Sequence, residues 1–369
     1  MGDASDPLPA GLSMLWEPTD PAAALSRRFG FDDLDGLGRW TTAALASTWG
    51  LPASGAPAVS RAVISDRNAV VWAGAGSRAV VVKLSCAQER FERLAASTQL
   101  VVLLAEHGVP VAAPLVSADG RVRVVLPGPA GPLSLCVLPE VAGDWLDVAD
   151  PAAVRSAGAC LARVHAALAQ APTELVAALA VAPPGLAGAT AATEPRAQVA
   201  GWLAGHDPGH VPEASRRLAS LLEAAPVLDD APQLIHGDFR AANVLVRGTE
   251  VAAVLDLDEV ALRHRVADLA QACTYLATRF TGWGPTPPAA RAVLVEGYES
   301  VRRLSAAERS WLDVLLLWNA VVAVPGPDDP AGWARAVLPT ARRVRVTRAS
   351  GRATSGGPRR PRATAPRCG

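Results

Sequence analysis

The residues with most chemical content lie together, in Ile235-His236-Gly237-Asp238-Phe239-Arg240-Ala241-Ala242-Asn243-Val244-Leu245, followed by Val254-Leu255-Asp256-Leu257-Asp258. An H-x-D-x-x-x-x-N pattern thus precedes an aspartate at the end of a short apolar run. Phosphoryl transfer from a nucleotide asks little covalent chemistry of a protein. It asks for a carboxylate to receive the proton of an acceptor hydroxyl, and for oxygen ligands that hold Mg²⁺ on the phosphates. Asp238, in a loop, can face the acceptor. Asn243 leaves the same loop toward the metal, and Asp256 returns to it on the second strand of a predicted hairpin. One amide, one carboxylate, phosphate oxygens and water suit Mg²⁺.

A second signal is a residue type used once. Lys and Arg together number 35, yet Lys83 is the only lysine. Arginine replaces lysine everywhere else, so the exception is a candidate for chemistry that a guanidinium does not do. It stands in Ala79-Val80-Val81-Val82-Lys83-Leu84, an apolar strand with one cation.

The elements that must position these residues can be read from pattern. Residues 1–58 read as a helical extension, with Leu34, Leu37, Trp40, Ala44, Leu45 and Trp49 on one face and Gly50-Leu51-Pro52 ending it. Val59–Ile64, Ala69–Ala73 and Ala79–Leu84 are β-branched runs separated by Ser65-Asp66-Arg67-Asn68 and Gly74-Ala75-Gly76-Ser77. A helix is expected from Gln88 to Glu106, then strands at Val122–Leu126 and Leu133–Leu138. Asp150-Pro151 opens a helix through Leu168, as an N-cap followed by proline does. Further helices are expected at 194–204, 212–223, 266–280, 289–303 and 306–322, around a hairpin of Val244–Val246 and Val251–Leu255. This order implies an α+β chain: a small, mostly antiparallel sheet at 59–141, a helical lobe at 142–340, and a ligand cleft between them.

In these residues the chain resembles the aminoglycoside phosphotransferase (APH) family of the protein-kinase-like superfamily, over about residues 59–340. His-Gly-Asp is that family's form of the catalytic loop. The resemblance implies a bilobal kinase-like fold and transfer of the γ-phosphate of ATP or GTP, with Mg²⁺, to a hydroxyl of a small molecule. It implies Asp238 as the base, Asn243 and Asp256 as metal ligands, and Lys83 as a phosphate contact. His236 takes a structural position. Asp268, in Val266-Ala267-Asp268-Leu269-Ala270, caps a helix and braces the loop. Arg240 either contacts the transferred phosphate or is an ordinary loop arginine. Ser65, Asp66, Arg67 and Asn68 occupy the nucleotide-loop position without its glycines, where backbone amides can cradle phosphate. Pro139, Glu140 and Val141 fall at the hinge, where main-chain groups would meet the adenine edge.

One departure stands out. The family pairs the strand lysine with a helix glutamate, but Ser97 falls near that position, and Glu89 and Glu92 lie a turn or more earlier. This motivates a second reading, a non-catalytic nucleotide-binding or scaffold protein. The intact Asp238, Asn243 and Asp256 argue against it.

Other residues carry plainer readings. His165 reads as a satisfied helix histidine, and His206, His210 and His264 as surface residues. Asp258 and Glu259 face the acceptor or solvent. Among the tryptophans, Trp283, Trp311, Trp318 and Trp333 sit in the helical lobe, where core packing is the default, and Gly297-Tyr298 reads as helix packing.

Charge and composition exclude several classes. The formal net charge is zero, but residues 341–369 carry only basic charge, so residues 1–340 are acidic. An acidic body argues against a nucleic-acid-binding domain, leaving the Arg-rich tail, read as disordered, for such a contact. Five scattered cysteines support neither a zinc site nor a disulfide framework. No apolar leader or membrane span is visible, so a cytoplasmic location is expected.

Overall fold

The fold is that of a computed structural model, which describes residues 8–52, 59–75, 78–180, 194–205, 211–280 and 282–337. The Arg-rich tail, His206 and His210 lie outside them.

Residues 1–58 read from the sequence as a helical extension. Among the described residues a strand, β1 (Gly11–Met14), comes before α1 (Pro21–Phe29) and α2 (Leu34–Trp49). β1 is too short to show a two-residue period, and all its residues are half-buried, so no alternation marks it. The two helices show the expected stops, with Gly30 and Gly50 left-handed at their C-termini. β1 pairs in parallel with β2 (Val59–Ser65). β3 (Asn68–Ala75), β4 (Arg78–Ser85), β5 (Val124–Gly128) and β6 (Gly131–Pro139) complete a six-stranded sheet in the order β1-β2-β3-β4-β6-β5. Leu25, Phe29, Leu37, Leu45 and Trp49 share one buried cluster with Ile64, Val71, Val82 and Leu135. The first helices therefore complete the core of the sheet and are not an appendage.

After β4, a 3-10 turn (Gln88–Arg90) leads into α3 (Phe91–Glu106), which stops at His107-Gly108. β6 ends at the crossover, and β7 (Asp144–Trp145) begins the second lobe. There, α4 (Pro151–Leu168) is capped by the Asp150 carboxylate on the amides of Ala152 and Ala153. α5 (Thr173–Ala180), hidden in an Ala- and Pro-rich stretch, was not expected. α6 (Pro195–Gly205) and α7 (Pro212–Ala224) were.

Three short strands frame the chemistry: β8 (Gln233–Ile235), β9 (Val244–Arg247) and β10 (Glu250–Val254). β11 (Ala261–Arg263) pairs with β8, and β10-β9-β7 form a second small sheet. α8 (Arg265–Tyr275), α9 (Pro288–Val301) and α10 (Ala306–Val322) close the lobe. α4 and α9 cross at glycines. A Cβ on Gly158 would fall 2.1 Å from the Leu294 carbonyl, and one on Gly297 2.1 Å from the Arg155 carbonyl. Gly297 thus sets a backbone contact that places buried Tyr298 against α4.

Candidate active site

The β9–β10 hairpin brings the predicted metal ligands to one end. Val244 opposes Val254, so Asn243 immediately precedes one strand and Asp256 follows the other. The Leu255 amide donates to the Asn243 carbonyl at 2.8 Å, tying the two ends together. Asp256 has φ +63°, a left-handed conformation uncommon for a residue with a Cβ. It costs about 1–3 kcal/mol, the kind of strain kept where a side chain must point one way.

The Asp238 loop is held from beneath. Fully buried Asp268 lies in the first turn of α8 and accepts from the amides of His236 and Gly237, both at 3.0 Å. It does not cap that helix, as was expected. The N-cap is His264, which makes no side-chain cap bond, and the Asp268 carboxylate is spent on the loop. His165 Nε2 donates to Asp268 at 2.8 Å, and the Tyr298 hydroxyl donates to His165 Nδ1 at 2.9 Å. Burial would raise the Asp268 pKa, but the His165 hydrogen bond and the neighbouring donors lower it. His165 is thus buried and satisfied as expected, but it also supports the loop. Sequence gave no sign of this, because its partners lie 103 and 133 residues away.

His236, expected in a structural position, bonds to main-chain groups on both sides. Its Nε2 faces the Leu255 carbonyl at 3.0 Å and its Nδ1 accepts from the Asp238 amide at 3.2 Å. A carbonyl only accepts and an amide only donates, so the ring is the neutral Nε2–H tautomer. Gly237 has φ +82°, and a Cβ there would fall 2.2 Å from the Glu259 carbonyl. A bulky residue is therefore excluded between His236 and Asp238.

Asp238 keeps its side chain 27% exposed while Arg240 Nε donates to both carboxylate oxygens, at 2.9 and 3.0 Å. The guanidinium lies over Trp283, 5.4 Å from the ring centroid. Trp283 is exposed and is not a core residue, whereas Trp311 and Trp333 are buried. Burial pushes the Asp238 carboxyl above the ordinary carboxylate range, and Arg240 opposes that shift. Asn243 Nδ2 donates to the Asp238 carbonyl and to Oδ2, both at 2.8 Å. With Nδ2 engaged, Asn243 Oδ1 is left for another partner.

Lys83 reaches across from β4 to Asp256 at 2.8 Å and Asp258 at 3.0 Å. Burial disfavours both charged forms, but the mutual attraction outweighs it. The Asp256 carboxyl is held at about 2 and the Lys83 ammonium above its usual value. Asp258, partly exposed, thus has Lys83 as its partner. Glu259 pairs with Arg90 at 3.4 Å. Ser97 is buried and donates to the Leu94 carbonyl, and Glu89 pairs with Arg67. The helix carboxylate is absent from Lys83, and its place is taken from the loop after β10. The 3-10 turn and α3 in turn supply cations to that loop, Arg90 of the turn to Glu259 and Arg93 of α3 to the Val260 carbonyl.

The remaining predicted residues lie apart from this cluster. Ser65–Asn68 form the β2–β3 turn, with Asp66 at φ +45°. Its amide is already engaged by Glu17, which corrects the expectation that this amide is open to phosphate. At the hinge, Pro139 has no N–H and the Glu140 amide donates to Ala79 at 3.1 Å. Val141 has no hydrogen-bond partner among the described residues. His264 is buried against Asp230 at 2.8 Å and is not a surface residue.

Three carboxylates (Asp238, Asp256, Asp258) thus face two cations (Lys83, Arg240). Among the described residues no group of three or more His, Cys, Asp or Glu side chains could hold a metal ion, so the donors offered to a cation here are the Asn243 Oδ1 and the Asp256 carboxylate, a set as small as Mg²⁺ takes when phosphate oxygens and water complete its shell.

The model of the phosphotransferase enzyme family (APH) matches residues 62–312. The chain belongs to this family. A homoserine kinase of Gluconacetobacter diazotrophicus is 33% identical over 223 residues, covering 58% of this chain and 63% of that protein. The chain therefore spans less than two thirds of that relative's length. Among solved structures, the amicoumacin kinase hAmiN in complex with AMP-PNP, Ca²⁺ and Ami superposes with a TM-score of 0.56 at 16% identity, over 87% of this chain and 95% of that one. Spectinomycin phosphotransferase APH(9)-Ia, in complex with ADP and spectinomycin, gives 0.54 at 14% identity, over 82% and 92%. These likenesses show the α+β, kinase-like fold, with its antiparallel sheet and helical lobe. No helix among the described residues is long and apolar enough to cross a membrane.

Proposed function

We propose that this member of the APH family transfers the γ-phosphate of ATP or GTP to a hydroxyl of a small molecule. The observation that carries the reading is that Asp238 and Asn243, bonded to each other, are tied through the Leu255 amide to the end of the hairpin where Lys83 of β4 meets Asp256. Asp238 receives the proton of the acceptor hydroxyl, that oxygen bonds to the γ-phosphorus, and the bridge to the β-phosphate breaks. Lys83 contributes a compact positive charge toward the phosphates. Asn243 Oδ1 and Asp256 would hold Mg²⁺, which when bound neutralises phosphate charge. Arg240 keeps Asp238 ionised and oriented. The Val141 amide is the hinge donor left for a base edge.

A non-catalytic role was motivated by the missing helix glutamate. Asp258 beside Lys83 removes much of that motive.

The test is Mg²⁺-dependent nucleotide consumption across a hydroxyl-compound panel. Homoserine comes first, because of the homoserine kinase relative, then amino alcohols and aminoglycosides, whose cations suit an acidic body. Turnover with one acceptor that disappears in Asp238→Asn is the expected result. No turnover with any acceptor, or equal turnover by the variant, would overturn the reading.

A further inference from the structure

The family match begins at residue 62, so β1, α1 and α2 lie outside it. Yet this segment touches the turn placed over the nucleotide. β1 runs beside β2 as far as the Leu15 amide, which donates to the Ile64 carbonyl at 2.9 Å. That pairing delivers Glu17 to the β2–β3 turn. Glu17 Oε1 accepts the Asp66 amide at 2.5 Å. Glu17 Oε2 accepts Arg28 Nη2 at 2.5 Å, and Arg28 Nη1 donates to the Asp66 carbonyl at 2.5 Å. One carboxylate and one guanidinium thus hold both main-chain groups of the residue that carries the turn's left-handed conformation.

We infer that Glu17, with Arg28, is a positioning residue that acts through Asp66 to hold the β2–β3 turn for nucleotide binding. This inference rests on the nucleotide reading above.

The geometry supports it in three ways. Aspartate reaches the left-handed region more readily than most residues with a Cβ, and contacts to both of its main-chain groups fix Asp66 in it. The contacts are charge-assisted and two-sided, which fixes direction as well as distance. They also determine which amide is left over. With the Asp66 N–H on Glu17, the Arg67 N–H is the turn amide without a hydrogen-bond partner among the described residues. Arg67 is itself restrained, because its carbonyl accepts from the Cys86 amide at 3.0 Å and its guanidinium pairs with Glu89. Glu17 thus engages one amide of the turn and leaves the next to face a phosphate.

The experiment uses the full chain, with Glu17→Gln and Arg28→Gln as separate variants. Affinity for a fluorescent ATP analogue with Mg²⁺, without acceptor, is measured beside amide hydrogen exchange of residues 65–68. Each variant should weaken nucleotide affinity roughly 5- to 20-fold, less than the full loss of a charge-assisted hydrogen bond because Glu17 and Arg28 act through the turn. Exchange at the Asp66 amide should rise at least about tenfold as its bond is lost. Where an acceptor is known, its KM should stay within about twofold, because the turn lies away from Asp238. Glu17→Asp, one methylene shorter, should behave like Glu17→Gln. Should one variant fail to fold, the other tests the same triangle. Faster exchange with unchanged affinity would overturn the inference, as would unchanged exchange. A wild-type chain that binds no nucleotide would overturn the nucleotide reading as well.

Discussion

Lys83 on β4 and Asp258, 175 residues later, meet at 3.0 Å, although the family pattern places a helix glutamate beside the lysine. With both Asp256 and Asp258 in reach, Lys83 would keep a carboxylate if Asp256 were given over to Mg²⁺. Asp258→Asn should then leave Asp256 as the sole partner of Lys83. Loss of one charge-assisted bond, about 1.5–3 kcal/mol, predicts roughly 10- to 100-fold weaker nucleotide binding. The control is Ser97→Ala, at the position where the helix acid was expected. Ser97 bonds only within its own helix, so affinity should hold within about twofold. Titration of a fluorescent nucleotide measures both. Equal losses in the two variants would restore α3 as the lysine's support.

The acid limb of activity should report Asp238. Its pKa is raised above the ordinary carboxylate value, so kcat/KM should rise with pH through a limb above about 4. Arg240 lowers that pKa, and removing it raises the pKa further. Arg240→Gln should therefore move the limb to higher pH, while Asp238→Asn should lower kcat about 10²- to 10⁴-fold and retain nucleotide binding. A pH–rate profile with any accepted hydroxyl compound checks both. A limb that moves to lower pH in Arg240→Gln would contradict the electrostatics described here.

Gly237 tests the loop's backbone. A Cβ would meet the Glu259 carbonyl at 2.2 Å in a left-handed conformation. Gly237→Ala should cost about 2–4 kcal/mol of stability, since strain and clash add. Thermal unfolding measures this. Gly248→Ala, left-handed with open space around it, should cost only about 1 kcal/mol. The difference between the two isolates the clash.

Much of the site was legible because its spacing is local. The five-residue step from Asp238 to Asn243 and the hairpin return to Asp256 follow from chain connectivity alone. The lone lysine was legible because composition made it an exception. What sequence could not show were partners fixed by tertiary approach. Asp258 reaches Lys83 only because the two lobes face each other. His165 supports Asp268 only because α4 and α9 cross at glycines, which brings in Tyr298. Likewise β1 is four residues long and half-buried throughout, so no periodicity betrayed the strand that carries the chain toward Glu17.

The Tyr298–His165–Asp268 chain makes the last prediction, about acid stability. Asp268 is fully buried, its pKa is lowered, and it accepts from His165 and two loop amides. A depressed carboxylate stabilises the fold at every pH above its unfolded value of about 3.9, and that stabilisation is lost as pH falls toward the folded value. Asp268→Asn keeps the shape but puts an amide where three donors converge, so one donor is left facing an N–H₂ group. It should cost about 3–5 kcal/mol at pH 7, as for breaking a buried charge-paired contact. Below about pH 4 the difference from wild type should narrow, because the unfolded Asp268 carboxyl takes up a proton there while the folded, depressed carboxylate does not. Denaturant unfolding at pH 7, 5 and 3.5 reads this directly. A difference that stays constant across that range would mean that the Asp268 charge does not hold the catalytic loop.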